Sequence, residues 1–416
     1  MKIGYFVWEY PPRIVGGLGT YAQNMAPMLV RKGHDVTLFT INPGDLMTSE
    51  VYQGVEIHRP KIIDMSDAFP LLVATDLRNW GTGLRFFADV FAYNLLSATK
   101  FVNELVKKQG YEFDLICCHD WLSSISGCSI KRELNLPFVY HMHSTEWGRT
   151  MNTGSTVVRD LEHCGYEHSD RVITVSYPMA EDLARHGWDS RKIDVCWNGI
   201  DPEQYNPDKV SKEKISEIRT RHGIKDGEVM ILFVGRLITV KGIVNLVKAM
   251  RPISEAHPEA KLVVLGSGDL ESTVLNLIKR LGIGNNVSVR FEFVPESERI
   301  AYYAACDIAV LPSLYEPFGI VSLEAMAMEK PIVVGASGVS GFRDQVIPSG
   351  KDKTGVHVDG NSACDIAWGV GSLLDDMDEA ALMGKRARKL VERQFTWDKV
   401  ADSTIDVYED VVSSCG

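Results

Sequence analysis

The chain has 416 residues, too many for one ordinary hydrophobic core and enough for two domains of roughly 150 to 200 residues. Its 45% hydrophobic and 24% charged content is that of a soluble globular protein. A formal charge of -11 disfavours broad contact with polyanions, so nucleic acid is set aside as a partner and any phosphate must be met by a local cationic pocket.

The first element is a strand at Ile3 to Val7, running into Trp8 and Glu9 with no long apolar core of a cleavable signal. No uncharged apolar run approaches the ~20 residues that span a bilayer, so no integral membrane segment is expected. The turn Gly16-Gly17-Leu18-Gly19 leads into a helix from about Thr20 to Lys32. Glycines there let backbone approach a ligand and the helix N–H groups point at it, though such a turn taken singly is equally a tight connection. Strands follow at Val36 to Phe39, Leu115 to Cys118, Phe138 to His141 and Arg171 to Val175. Strands alternating with helical patterns imply parallel sheets covered on both faces.

His119-Asp120-Trp121 and His141-Met142-His143-Ser144-Thr145-Glu146 leave two of those strands at their carboxyl ends, where open α/β sheets bind ligands. Three histidines, an aspartate and a glutamate converge there. No metal is expected, because neither E-x-x-H nor H-E-x-x-H occurs with its helical spacing. The eight cysteines include adjacent Cys117 and Cys118 but no C-x-x-C, which fits reduced interior thiols and cytoplasmic residence better than disulfides or a zinc site.

Trp197-Asn198-Gly199-Ile200-Asp201-Pro202 reads as a turn-rich link. It places domains at 1–198 and 199–395, and a ligand cleft between them. The second half repeats the scheme with strands at Val229 to Val234, Leu262 to Leu265, Val287 to Phe291, Asp307 to Leu311 and Ile332 to Val334. After the first of these, Gly235-Arg236-Leu237-Ile238-Thr239-Val240-Lys241-Gly242 puts two cations at a helix N-terminus. The positive helix end repels them unless an anion lies between; otherwise they are two solvated loop cations. Gly266-Ser267-Gly268-Asp269 follows another strand. Pro312-Ser313-Leu314-Tyr315-Glu316-Pro317-Phe318-Gly319-Ile320-Val321-Ser322-Leu323-Glu324-Ala325 is the most informative run: Pro317 is expected in the first turn of a helix reaching about Met328, with Glu316 at its start and Glu324 inside it. Taken singly, each glutamate is equally an ordinary dipole partner or helix former. A last helix follows Phe395-Thr396-Trp397 and runs to about Val411.

Glu316 and Glu324, with seven residues between them inside Tyr-Glu-Pro-Phe-Gly and Leu-Glu-Ala-Met-Ala, resemble the signature of retaining glycosyltransferases of GT-B fold, the group of glycogen and starch synthases. The likeness extends from Gly16 through Trp397. It implies two Rossmann-like doubly wound domains facing each other across a cleft, the N-terminal one on the acceptor side with the helix of about 396–416 packing back on it, the C-terminal one binding the donor. It implies that Glu316 meets the donor sugar, Glu324 the ribose, Arg236 and Lys241 the diphosphate, and His143 the sugar. Asp120 lies toward the acceptor. Gly16 and Gly17 close on the diphosphate, Gly319 and Ile320 belong to the donor site, Gly266 lies under the base, and Tyr315 packs near the nucleotide. The run His141 to Trp147 is a variant of the family's element, which leaves the acceptor class open.

The implied reaction is metal-independent transfer of glucose or a similar sugar from ADP- or UDP-glucose to a carbohydrate, an α-glucan above all, without a cofactor. The departing diphosphate would take the acceptor's proton in a same-face substitution, its charge stabilised by the two cations. A lipid or small-molecule acceptor, a sugar-nucleotide epimerase and a non-catalytic sensor are the competing readings within the fold, and a homo-oligomer is left open. A Rossmann dehydrogenase is the reading from another class. Against it, Gly16, Gly17 and Gly19 do not form G-x-G-x-x-G.

Overall fold

The computed structural model describes residues 1–65, 67–71, 73 and 83–415. The chain divides into two compact units, Met1–Val175 with Ala180–Trp197 and Trp397–Gly416, and Ser176–Met179 with Asn198–Thr396.

The first unit is built on β1 (Lys2–Phe6), β2 (Asp35–Phe39), β3 (Ser49–Tyr52), β4 (Val55–His58), β5 (Leu115–His119), β6 (Phe138–Met142), β7 (Arg171–Thr174) and β8 (Ile193–Val195). They form one sheet in the order β3-β4-β2-β1-β5-β6-β7-β8, parallel except for β3 against β4. Strands such as Leu-Ile-Cys-Cys-His are buried at every residue, the pattern of a sheet covered on both faces. The helices are α1 (Gly17–Arg31), α2 (Gly83–Thr99), α3 (Trp121–Leu134), α4 (Glu146–Arg149), α5 (Thr156–His168) and α6 (Tyr177–Arg185), the start of α6 grouping with the second unit.

The second unit carries β9 (Val229–Val234), β10 (Ala260–Leu265), β11 (Val287–Arg290), β12 (Ile308–Leu311), β13 (Ile332–Gly335) and β14 (Gly355–Val358), parallel throughout in the order β11-β10-β9-β12-β13-β14. Its helices are α7 (Lys212–Arg221), α8 (Ile243–Ala256), α9 (Glu271–Leu281), α10 (Glu296–Ala305), α11 (Ile320–Ala327), α12 (Phe342–Gln345), α13 (Ala363–Leu374) and α14 (Met377–Gln394). Ile231, Leu262, Val310 and Val333 are wholly buried with Leu246 and Ile366 from the covering helices. Each such side chain contributes roughly 1.5–3 kcal/mol of burial.

The closing helix α15 (Trp397–Cys415) belongs to the first unit, where Tyr408 and Val411 share a core with Tyr5 and Leu29. Lys32 Nζ ties it down through Asp398 at 2.8 Å and Asp402 at 2.7 Å.

In both sheets the chain fills one side from the first strand outward and then returns to fill the other. The reversal falls between β1 and β5 in the first unit and between β9 and β12 in the second. Loops at the carboxyl ends of two such strands diverge and leave a crevice. Among the described residues no helix is long and apolar enough to cross a membrane.

Two helix starts differ from the spacing argument. Helix α1 begins at Gly17, so Gly17, Leu18 and Gly19 are its first turn rather than a loop before Thr20. Helix α11 begins at Ile320, so Pro317 is outside it. The 312–319 segment is instead a bent loop anchored by a bridge between Glu316 and Ser340, with Glu316 N donating to Val339 O at 3.0 Å.

Candidate functional site

At the β9/β12 reversal the loops after the two strands are locked together. Lys241 closes a short 3-10 turn, Thr239–Lys241, and Gly242 follows with φ 71°. A Cβ at Gly242 would fall 1.9 Å from the Pro312 carbonyl oxygen, so only glycine lets the turn lie against the other loop. Leu314 N donates to Val240 O at 2.7 Å across the same junction.

This lock brings Lys241 to Glu316, which form an ion pair through Nζ and Oε2. Ser313 Oγ also donates to that oxygen, at 3.1 Å, and Glu316 is only 6% exposed. Arg236 and Lys241, expected to share an anion, thus differ in their contacts within the protein. Lys241 is engaged by a carboxylate, while Arg236 is exposed and its guanidinium has no hydrogen bond or ion pair among the described residues. Tyr315, in the loop after β12, is buried.

Gly319 precedes α11, leaving the N–H groups of Ile320 and Val321 without intrahelical partners at the positive end of the helix, while Ser322 N donates to Gly319 O at 3.2 Å. One turn further, buried Glu324 accepts from Arg299 Nε at 2.9 Å and Nη2 at 2.8 Å, and from the Tyr205 hydroxyl at 2.9 Å. Burial, and then the Glu324 charge, push the Tyr205 hydroxyl well above its ordinary range and keep it a donor. Neither Arg299 nor Tyr205 belongs to a motif; helix α10 and the link after Asn198 deliver them, and nothing local in the sequence marks them. Gly266 has a packing reason of its own: at φ 132° a Cβ there would lie 2.0 Å from Gly235 O.

In the first unit, Gly16 caps α1 at the carboxyl end of β1, and Glu9 Oε2 accepts from Val15 N at 2.9 Å and Gly16 N at 3.1 Å. A Cβ on Gly16 or Gly17 would meet nothing within 4 Å, whereas on Gly19 it would lie 2.9 Å from Glu9 Oε2. Packing inside this unit thus accounts for Gly19 and not for the first two glycines.

Asp120 follows β5 at φ 54° and ψ 177°, a conformation costing a non-glycine residue about 1–3 kcal/mol. It is held there by its N–H donating to His141 O at 2.8 Å and by Oδ1 accepting from His143 N at 2.7 Å and Ser144 N at 3.4 Å. Burial raises its carboxyl to about 6, against the opposing pull of Arg149 and those two N–H groups.

The three histidines come together as expected from the strand ends. His119 Nδ1 lies 3.0 Å from His143 Nε2, and His141 Nε2 lies 2.9 Å from the Tyr408 hydroxyl. One nitrogen from each lies within 4.8 Å of the others, a spacing that a metal ion could bridge, and His119 Nε2 is buried without a partner. Desolvation holds all three neutral, His143 down to about 3. Behind them Arg149 donates to Ser144 Oγ at 2.9 Å and Glu146 Oε2 at 2.8 Å, and Glu146 N donates to Glu162 Oε1 at 2.8 Å. Burial pushes Glu162 up to about 8. Arg149 and Glu162 escaped the sequence reading because both act as supports behind the strand ends.

Residues 15–204 match the family model described as Glycosyltransferase Family 4, and residues 214–390 the one described as Glycosyl transferases group 1. An uncharacterized glycosyltransferase of Methanocaldococcus jannaschii is 35% identical over 100% of both chains. A glycogen synthase of Mycobacterium tuberculosis is 28% identical over 98% of this chain and 94% of its own. Among solved structures, the catalytic domain of starch synthase IV from Arabidopsis thaliana, bound to ADP and acarbose, superposes with a TM-score of 0.75 over 99% of each chain at 17% identity.

Proposed function

The chain belongs to the family 4 glycosyltransferases of GT-B fold, and from that premise we propose that it transfers glucose or a similar hexose, with retention, from a nucleoside diphosphate to an α-glucan. The observation that carries this reading is the Lys241–Glu316 pair beside the unpartnered Arg236 at the β9/β12 reversal. A lysine that can exchange a carboxylate for a phosphate, with a free guanidinium on the same loop, is a site built for an anion. The glycogen synthase relative and the ADP-bound starch synthase favour a glucan acceptor and a nucleotide donor.

In this reading Arg236 and Lys241 neutralise the diphosphate and stabilise charge growing on it as the glycosidic bond breaks. Glu316, released from Lys241, faces the sugar. The N–H groups at Gly319 and Ile320 add the positive end of α11. Glu324, oriented by Arg299 and Tyr205, takes the ribose hydroxyls, with Gly266 and Tyr315 on the nucleotide side. In the first unit Gly17 offers its backbone N–H to an anionic oxygen and Gly16, whose own N–H is held by Glu9, leaves the approach open, neutral His143 meets the sugar, and Asp120 fixes the His143 backbone and lies toward the acceptor. None of these roles uses a metal ion, and the donor pool and unpaired thiols suit the cytoplasm.

The test is release of nucleoside diphosphate from ADP-, UDP- and GDP-glucose, with and without an oligosaccharide and with EDTA throughout. Glucan-dependent release that survives chelation is the expected result. Loss with EDTA, restored by Mg²⁺ or Mn²⁺, would refute metal independence; release only with a lipid or small-molecule acceptor would replace the glucan.

Asp120 makes a pH prediction. A carboxyl raised to about 6 is ionised only above that pH, so turnover should rise with pH through an apparent pKa near 6. Between its ordinary range and 6 the folded state holds a proton that the unfolded chain has lost, so this residue's contribution to stability falls as pH rises through that window. Asn has the shape of Asp, so it carries the same backbone strain, keeps an oxygen that can accept from His143 N, and has no buried charge. Asp120→Asn should therefore lower turnover, abolish the acid limb and leave Tm at or above that of the wild type. A limb that persists in the variant belongs to another group.

A further inference from the structure

Away from the strand ends, α3 and α5 pack against each other and place Cys128, Cys164 and His168 together. Cys164 and His168 are four positions apart on α5, one turn on the same face, and Cys128 comes from the facing helix. Cys128 Sγ lies 3.5 Å from Cys164 Sγ, and Cys164 Sγ lies 3.7 Å from His168 Nδ1. One donor atom from each residue lies within 4.8 Å of the other two.

A tetrahedral Zn²⁺ with bonds of about 2.3 Å to sulfur and about 2.0–2.1 Å to imidazole nitrogen separates two sulfurs by about 3.8 Å and a sulfur from a nitrogen by about 3.6 Å. Both separations thus fall within a few tenths of an ångström of the edges of that tetrahedron. We propose that Cys128, Cys164 and His168 form a site for zinc or a similarly thiophilic divalent cation, completed by water, that pins the end of α5 to the middle of α3.

The donor chemistry fits. Cys128 and Cys164 are half-buried, while His168 closes α5 at the surface and leaves the fourth position open to solvent. Without metal, His168 Nδ1 is 2.9 Å from Cys164 O and donates to it. Metal binding moves that proton to the solvent-facing Nε2 and frees the Nδ1 lone pair. Each thiol gives up its proton as its Sγ–metal bond forms, so one M²⁺ displaces two H⁺ and no electrons move. A Cys128–Cys164 disulfide is the competing outcome. It requires an oxidant and closure to about 2.05 Å, and it gives the histidine one turn along no part.

The experiment uses the full chain, reduced and stripped with EDTA, titrated anaerobically with Co²⁺ as the probe. The expected result is a thiolate-to-cobalt charge-transfer band saturating at one Co²⁺ per chain, two protons released per ion, and displacement of the band by Zn²⁺. The band should vanish in Cys128→Ser/Cys164→Ser, and Co²⁺ should bind at least roughly tenfold more weakly to His168→Ala, the least that loss of a supporting partner costs. Zn²⁺ should raise the Tm of the wild type and not of the double variant, while glucose transfer continues in both. Overturning results are the absence of a thiolate band, cobalt bound only through imidazoles such as the buried histidine trio, a band that persists in the double variant, or a Cys128–Cys164 disulfide in the protein as isolated.

Discussion

Lys241→Ala should lower turnover by roughly 10²–10³, the loss measured when one fixed donor to a developing negative charge is removed. The structure adds a second effect. Lys241 is the ion-pair partner of Glu316, whose side chain is only 8% exposed, so the substitution leaves a carboxylate inside the second unit with a single hydroxyl donor, Ser313. Removing one partner of such a pair costs about 3–5 kcal/mol. Tm should therefore fall along with turnover. The two losses separate in Lys241→Ala/Glu316→Gln, which carries no uncompensated charge: its Tm should recover while its turnover stays at least as low. Kinetics with saturating nucleotide sugar, paired with thermal denaturation of the same samples, reads both. Near wild-type turnover in the single variant would remove Lys241 from the diphosphate.

The two glutamates should part company when free nucleoside diphosphate, which lacks the sugar, is the ligand. Glu324→Gln is expected to weaken ADP or UDP by roughly ten- to a hundredfold, the 1.5–3 kcal/mol range of a charge-assisted hydrogen bond, whereas Glu316→Gln should leave that affinity nearly unchanged and lower kcat. Binding shared by ground and transition state raises KM, and a contact made only as the sugar departs lowers kcat. Glu324 also holds Arg299 of α10 and Tyr205 of the link after Asn198, so its loss also releases that network. Arg299→Gln is the control, because it releases the same network while keeping the carboxylate. Calorimetry that finds Glu316→Gln and Glu324→Gln equally damaging to free nucleotide would dissolve the division of labour. Equal damage from Arg299→Gln would make Glu324 a positioning residue.

Much of the architecture was legible before any coordinates. The unbroken apolar runs of Leu115 to Cys118 and Val229 to Val234 mark strands buried on both faces, and their alternation with helical patterns leads to two parallel sheets, the GT-B class that the solved neighbours share. Element boundaries near glycine and proline were less legible. Pro317 carries a helix-start signal, yet the Glu316–Ser340 bridge, whose far side comes from the loop after β13, keeps the segment out of the helix. A local propensity of tenths of a kcal/mol yields to several backbone hydrogen bonds made at a distance.

What the sequence by itself determined is the inventory: which residue types follow which strands, and hence that histidines, an aspartate, an arginine, a lysine and a glutamate sit at strand carboxyl ends, with a second glutamate in the helix that follows. That information is local, carried by periodicity and spacing over a few turns. Pairings between elements were decided only by the tertiary structure. Lys241 meets Glu316 because β9 and β12 are neighbours at the sheet reversal, Arg299 meets Glu324 because α10 lies beside α11, and Cys128 meets Cys164 and His168 because α3 packs on α5. A motif such as C-x-x-C can announce a metal site only when one segment supplies its ligands. Where two helices share them, the spacing in sequence is set by the length of the intervening strand and loops, which has no chemical meaning, and the site exists only once the core has brought the helices into contact.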